Sequence, residues 1–147
     1  MTATERVLRF FGLFCFCFYM FLLVSYGSLG FWNPGYELSK SYHIDLGSLD
    51  SQERSSLFNH VRFLKSYVLG FAAFGIVFRR KVFEERAYNL LFLGTLFVSA
   101  SGRLLTVLID GKPWPPMIWF MISEYFFFVC IFAYSRVTLA RAQGTKK

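Results

Sequence analysis

Four stretches of this 147-residue chain, roughly 10–31, 51–78, 87–109 and 116–134, are each apolar for close to the ~20 residues that a helix needs to cross a bilayer. In lipid every backbone N–H and C=O must find its partner within the protein, which leaves an isolated apolar segment only the helix. The expectation is an all-α integral membrane four-helix bundle forming one domain over 1–147. Composition supports that class. With 20 Phe and only 17% charged residues, a soluble domain of this size could not cover its apolar surface.

The net charge of +7 could suggest a nucleic-acid partner, but the positions of the charges argue against one. Lys and Arg gather at the ends of the apolar stretches, and no segment interleaves basic residues with exposed aromatics. Their distribution sets an orientation instead. Arg6 and Arg9, four basic residues in 79–86 and four in the tail fall on one side; Lys40, Arg54 and Lys112 fall on the other. The positive-inside rule then places both termini in the cytoplasm. Trp32 and Trp114, residues that settle at headgroup level, both fall on the far side.

In chain order, the first apolar run is long for a signal peptide, and Ser-Tyr-Gly-Ser-Leu-Gly (25–30) is a poor cleavage site. Pro34 and Gly35 are read as ending that helix. The mixed segment to Ser48 holds Glu37, Lys40, His43 and Asp45, to which no role is assigned. Asp50-Ser51-Gln52-Glu53 reads as a capping box opening the second helix. That helix has only 13 uncharged residues, 66–78, so Arg62 and Lys65 must lie in or just above the hydrocarbon. Ser66, Gly70 and Ala73 are read as a face for close helix approach, and Gly94 and Gly102 likewise on the third helix. Residues 79–86 read as a basic loop, and 136–147 as a loosely ordered tail.

On the third helix Thr95, Ser99, Arg103, Thr106 and Asp110 recur at steps of four, four, three and four, a single polar face. A buried arginine costs about 2.5–3.5 kcal/mol at the centre of a spanning helix, so its charge must be answered. Arg103 lies seven residues from Asp110, about 10 Å down, and Glu124 eight from Pro116, about 12 Å. Glu124 is the only acid of the last apolar segment, and at this matching depth it is the predicted counter-ion. Arg62, Lys65, Arg103, Asp110 and Glu124 are therefore the candidate ligand-binding residues. They form a cationic cluster near the outer face that suits an anionic group such as a lipid headgroup, a fatty carboxylate or an anionic quinol. The plainer alternative is a structural ion pair that fixes helix register.

Other chemistries lack their residues. Cys15 and Cys17 point to different helix faces and Cys130 lies deep in the last segment, so the three read as small hydrophobes, with no zinc or redox pattern. No nucleophile–base pair, phosphate loop or metal motif is visible, and no cofactor is expected.

Asn59-His60-Val61-Arg62, Gly102-Arg103-Leu104-Leu105 and Asp110-Gly111-Lys112-Pro113 together resemble the signature of an uncharacterised family of small bacterial four-helix membrane proteins, catalogued as a domain of unknown function. The resemblance covers roughly 59–134, and Lys65, Ser66 and Tyr67 stand where that family carries an aromatic and paired glycines. More distantly, the layout is similar to the DoxX-like four-helix group and the ergosterol-biosynthesis scaffold proteins, which would imply redox-accessory or scaffolding roles. A bacterial inner membrane location follows from the same resemblance.

The leading expectation is a non-enzymatic membrane protein that binds an anionic lipid-like ligand or serves as an accessory subunit of a larger membrane complex. Its partners would be membrane lipids. The alternatives are an oligomeric proton-coupled transporter using Glu124, which four helices could form only as a homo-oligomer, and a membrane enzyme on a hydrophobic substrate. The enzyme ranks last, because one carboxylate does not make a tuned acid–base pair.

Overall fold

In a computed structural model, residues 3–111, 113 and 115–144 are described, and helices account for nearly all of them. Six are present: α1 (Ala3–Trp32), α2 (Pro34–Ser41), α3 (Ser51–Val77), α4 (Arg79–Glu84), α5 (Arg86–Ile109) and α6 (Pro115–Gly144). Four of them carry segments long and apolar enough to cross a membrane: Thr4–Trp32, Ser51–Val77, Arg86–Ile109 and Pro115–Ala140. The chain is an all-α integral membrane protein. Its large apolar side chains point outward in numbers that water would not tolerate, Leu108 and Trp119 being about 70% exposed.

The chain forms two compact units, one of residues up to Tyr19 and from Val77 onward, the other of residues 20–76. In the first, α5 and α6 pack as a hairpin and α4 lies against both. Residues 79–86, expected as a loop, are mostly this short helix, because Val82 and Phe83 have an apolar surface to bury. Phe16 of α1 is fully buried, its ring 5.2 Å from Phe83 and 5.3 Å from Phe92. A methyl group on Gly12 would collide with the Tyr134 side chain, so α1 and α6 touch nearly backbone to ring. The buried Asn89 carboxamide donates to the Val82 carbonyl at 3.0 Å and ties α4 to α5.

The second unit holds the rest of α1 with α2 and α3. Pro34 ends α1 as expected but also opens α2. It occupies the first turn, where a missing N–H costs nothing, behind the Asn33 N-cap whose Oδ1 accepts from the Tyr36 N–H at 3.2 Å. His43 carries the chain out of α2 at φ 54°, a left-handed conformation, and the Ile44 N–H donates back to the Leu38 carbonyl at 3.1 Å. The capping box at α3 forms in both directions. Asp50 Oδ1 accepts from the N–H groups of Gln52 and Glu53 at 2.8 Å, and Glu53 Oε2 accepts from the Asp50 N–H at 3.0 Å.

Two further expectations are corrected. Arg136–Gly144 continue α6 rather than forming a loose tail; the rest of the tail, with Lys112 and Trp114 of the proline-rich turn, lies outside the described residues. The glycines expected at close helix contacts are open instead, since an added Cβ at Gly70, Gly94 or Gly102 would meet nothing within 4 Å. The tight approaches lie on α1, at Gly12, Gly27 and Gly30. A glycine in a small-residue pattern marks where a helix could be approached, whereas the rotation of the helix decides whether it is.

Candidate membrane-embedded ion pairs

The polar face of α5 turns Arg103 and Ser99 toward α6. Arg103 Nε donates to Glu124 Oε2 at 3.0 Å, and the Ser99 hydroxyl reaches Glu124 Oε1 at 3.5 Å, so both carboxylate oxygens are engaged. Ser101 and the Tyr125 hydroxyl lie 3.4 Å apart on the same interface. Tyr19 of α1 is buried within electrostatic reach of both Arg103 and Glu124. The other hydroxyls of the stripe turn back on their own helix, Thr95 to the Leu91 carbonyl at 2.9 Å and Thr106 to the Gly102 carbonyl at 3.3 Å. That habit satisfies a hydroxyl in lipid without a second helix.

The pair is asymmetric. Glu124 keeps 8% of its side-chain surface, and Arg103 keeps 40%. Arg103 spends its inner nitrogen on the carboxylate. Of its outer nitrogens, Nη1 meets only the Met117 sulfur, at 4.0 Å. The outer edge of the guanidinium therefore has no oxygen acceptor among the described residues.

A second pair lies in the other unit. Lys65 Nζ of α3 meets Glu37 Oε1 of α2 at 2.5 Å, with side chains only 15% and 5% exposed. The sequence alone assigns Glu37 no role, and sets Glu124 against the three cations Arg62, Lys65 and Arg103 with Asp110 at the rim. Glu37 looked like part of a polar connection, and nothing in its spacing announced that Pro34 would start a helix carrying it inward. The Asn33-Pro34 cap was the available signal. The other oxygen of Glu37, Oε2, is buried without a hydrogen-bond partner among the described residues. A Cβ on Gly30 would fall onto that oxygen and lie 2.5 Å from Lys65 Cε, so α1 leaves the space the pair occupies.

Arg62, one turn before Lys65, donates from Nε to the Phe31 carbonyl at 3.3 Å, near the negative end of the α1 dipole. Ser66 donates to the Arg62 carbonyl at 2.9 Å. Asp110 caps the C-terminus of α5, its N–H on the Thr106 carbonyl at 2.8 Å, and is followed by Gly111 at φ 95°, a glycine stop. Its carboxylate takes no ion pair among the described residues. Of the five candidates, then, Arg103 and Glu124 are joined. Lys65 is joined to a carboxylate not foreseen, Arg62 to a helix terminus, and Asp110 serves a turn. Among the described residues no group of three His, Cys, Asp or Glu could hold a metal ion.

The family model for a domain of unknown function (DUF4345) matches residues 7–135. No curated protein matches the chain, and no solved structure does so.

Proposed function

The chain belongs to the DUF4345 family, and we propose that it is a non-catalytic protein of a bacterial inner membrane, both termini cytoplasmic, that binds an anionic lipid-like ligand through Arg103. One observation carries this reading: Glu124 holds the guanidinium through Nε, while the side chain stays 40% exposed and its outer edge, among the described residues, meets only the Met117 sulfur. A guanidinium edge that presents two parallel N–H groups and has no oxygen acceptor among the described residues is suited to a carboxylate or phosphate, which takes both. Arg103 lies six residues from the end of α5, about 9 Å along the helix, a depth from which its long side chain reaches the headgroup region. Glu124 acts here as the anchor that orients the arginine. With both oxygens engaged, it has less support as a proton relay.

Arg103→Lys tests the reading, because lysine keeps the charge opposite Glu124 but has no second edge. Native mass spectrometry of the detergent-purified protein with added oleate should show retention falling about tenfold, the loss of one good charge-assisted contact. Equal retention by wild type and Arg103→Lys would reject the proposal.

A further inference from the structure

A groove of about 700 Å³ runs between α5 and α6, its lining mostly apolar. Its size falls within the ~300–1,000 Å³ of pockets that take small ligands. One wall is an aromatic column: the Phe97 ring lies 5.5 Å from Phe128, and Phe128 stacks on Phe132 at 5.8 Å. Arg136 closes the column, its guanidinium 4.7 Å from the centroid of the Phe132 ring. Arg86, the first residue of α5, lines the same mouth. Both arginines are exposed, neither forms an ion pair among the described residues, and no acid lines the groove.

Length identifies the occupant. From Arg86 to Phe97 is eleven residues, about 17 Å of helix. Half of the ~30 Å hydrocarbon core is about 15 Å. The groove is thus one leaflet deep, apolar to the midplane and doubly cationic at the headgroup level. Gly94 explains why it is open: a Cβ there would meet nothing within 4 Å, and any longer residue would project into it. Seventeen residues, about 25 Å, separate Arg86 from Arg103, so this mouth lies near the opposite membrane boundary from the Arg103 site.

We propose that the groove is a second, separate site, which holds one anionic phospholipid with an acyl chain along the Phe97–Phe128–Phe132 wall and its phosphate between Arg86 and Arg136. Charge complementarity selects the headgroup, and the depth of the groove selects a chain reaching the midplane. In the orientation proposed above, this mouth faces the cytoplasmic leaflet, where anionic lipids supply the surface charge.

The test is native mass spectrometry of the full chain with phosphatidylglycerol and phosphatidylcholine of identical acyl chains. Wild type should retain phosphatidylglycerol preferentially. Arg86→Ala or Arg136→Ala should lower that retention about fivefold each, and the double variant about thirtyfold, the effect of removing one and two cations beside an anionic headgroup. Gly94→Leu should also lower it with both arginines in place, and because leucine is the better helix former its fold is preserved. Circular dichroism of each variant confirms the helix content. Equal retention of the two lipids by wild type means general solvation by lipid and overturns the proposal, as does undiminished retention in the double variant or in Gly94→Leu. Arg103→Lys should leave this retention preference intact, which separates failure here from failure of the Arg103 site.

Discussion

Arg103 and Glu124 meet at 3.0 Å across the α5–α6 hairpin but are unequally shielded, the arginine keeping 40% of its side-chain surface and the glutamate 8%. The two halves of the pair therefore respond differently to loss of the partner. Arg103→Ala strands a buried carboxylate whose remaining hydrogen bond among the described residues comes from Ser99, and should cost about 3 kcal/mol. Glu124→Gln leaves a part-exposed guanidinium that can turn toward headgroups, and should cost about 1 kcal/mol. Reversible unfolding in mixed detergent measures both. Equal costs, or the reverse order, would show that Glu124 is not the desolvated partner.

Gly30 and Gly102 make a matched comparison. A methyl at Gly30 would run into Glu37 Oε2 and Lys65 Cε, whereas one at Gly102 meets nothing. Gly30→Ala should destabilise by about 1–3 kcal/mol, the usual cost of overpacking. Gly102→Ala should be neutral or stabilising by about 0.5–1 kcal/mol, the gain of alanine over glycine in a helix. The same unfolding assay reads both variants. A tolerated Gly30→Ala would mean the Glu37–Lys65 pair can move aside.

The start of α3 depends on one side chain that accepts two N–H bonds. Asp50→Ala should cost about 1 kcal/mol, and Asp50→Asn much less, because asparagine caps equally well. Hydrogen exchange localises the effect: the amides of Gln52 and Glu53 should lose protection in the alanine variant and keep it in the asparagine variant.

Orientation is testable with single cysteines in a background lacking Cys15, Cys17 and Cys130. Ser48 lies in the connection between α2 and α3, and Glu84 at the end of α4; both are exposed. With cytoplasmic termini, a membrane-impermeant maleimide added to intact cells should label Ser48→Cys and spare Glu84→Cys until the cells are broken. The opposite pattern would invert the topology.

Hydropathy and spacing were enough for the four spans, the class, the α3 capping box and the Arg103–Glu124 pair, because each depends on local quantities. A span follows from the length of an apolar run, a cap from residues three apart, and the pair from two depths counted from one tight turn. The ends of helices were less legible. Pro34 signals a stop as readily as a start, and the apolar pair Val82-Phe83 is too short to declare a helix without the surface it covers.

What the chain's order of residues determined by itself was which segments enter the membrane and at what depth each charge lies, since both follow from rise per residue and the cost of polar groups in lipid. Only the tertiary structure decided who faces whom. Helix rotation and crossing are set by side-chain fit, which brings Glu37 to Lys65 and closes α1 around Gly12 and Gly30. The same fit leaves Gly94 facing an open groove rather than a neighbouring helix.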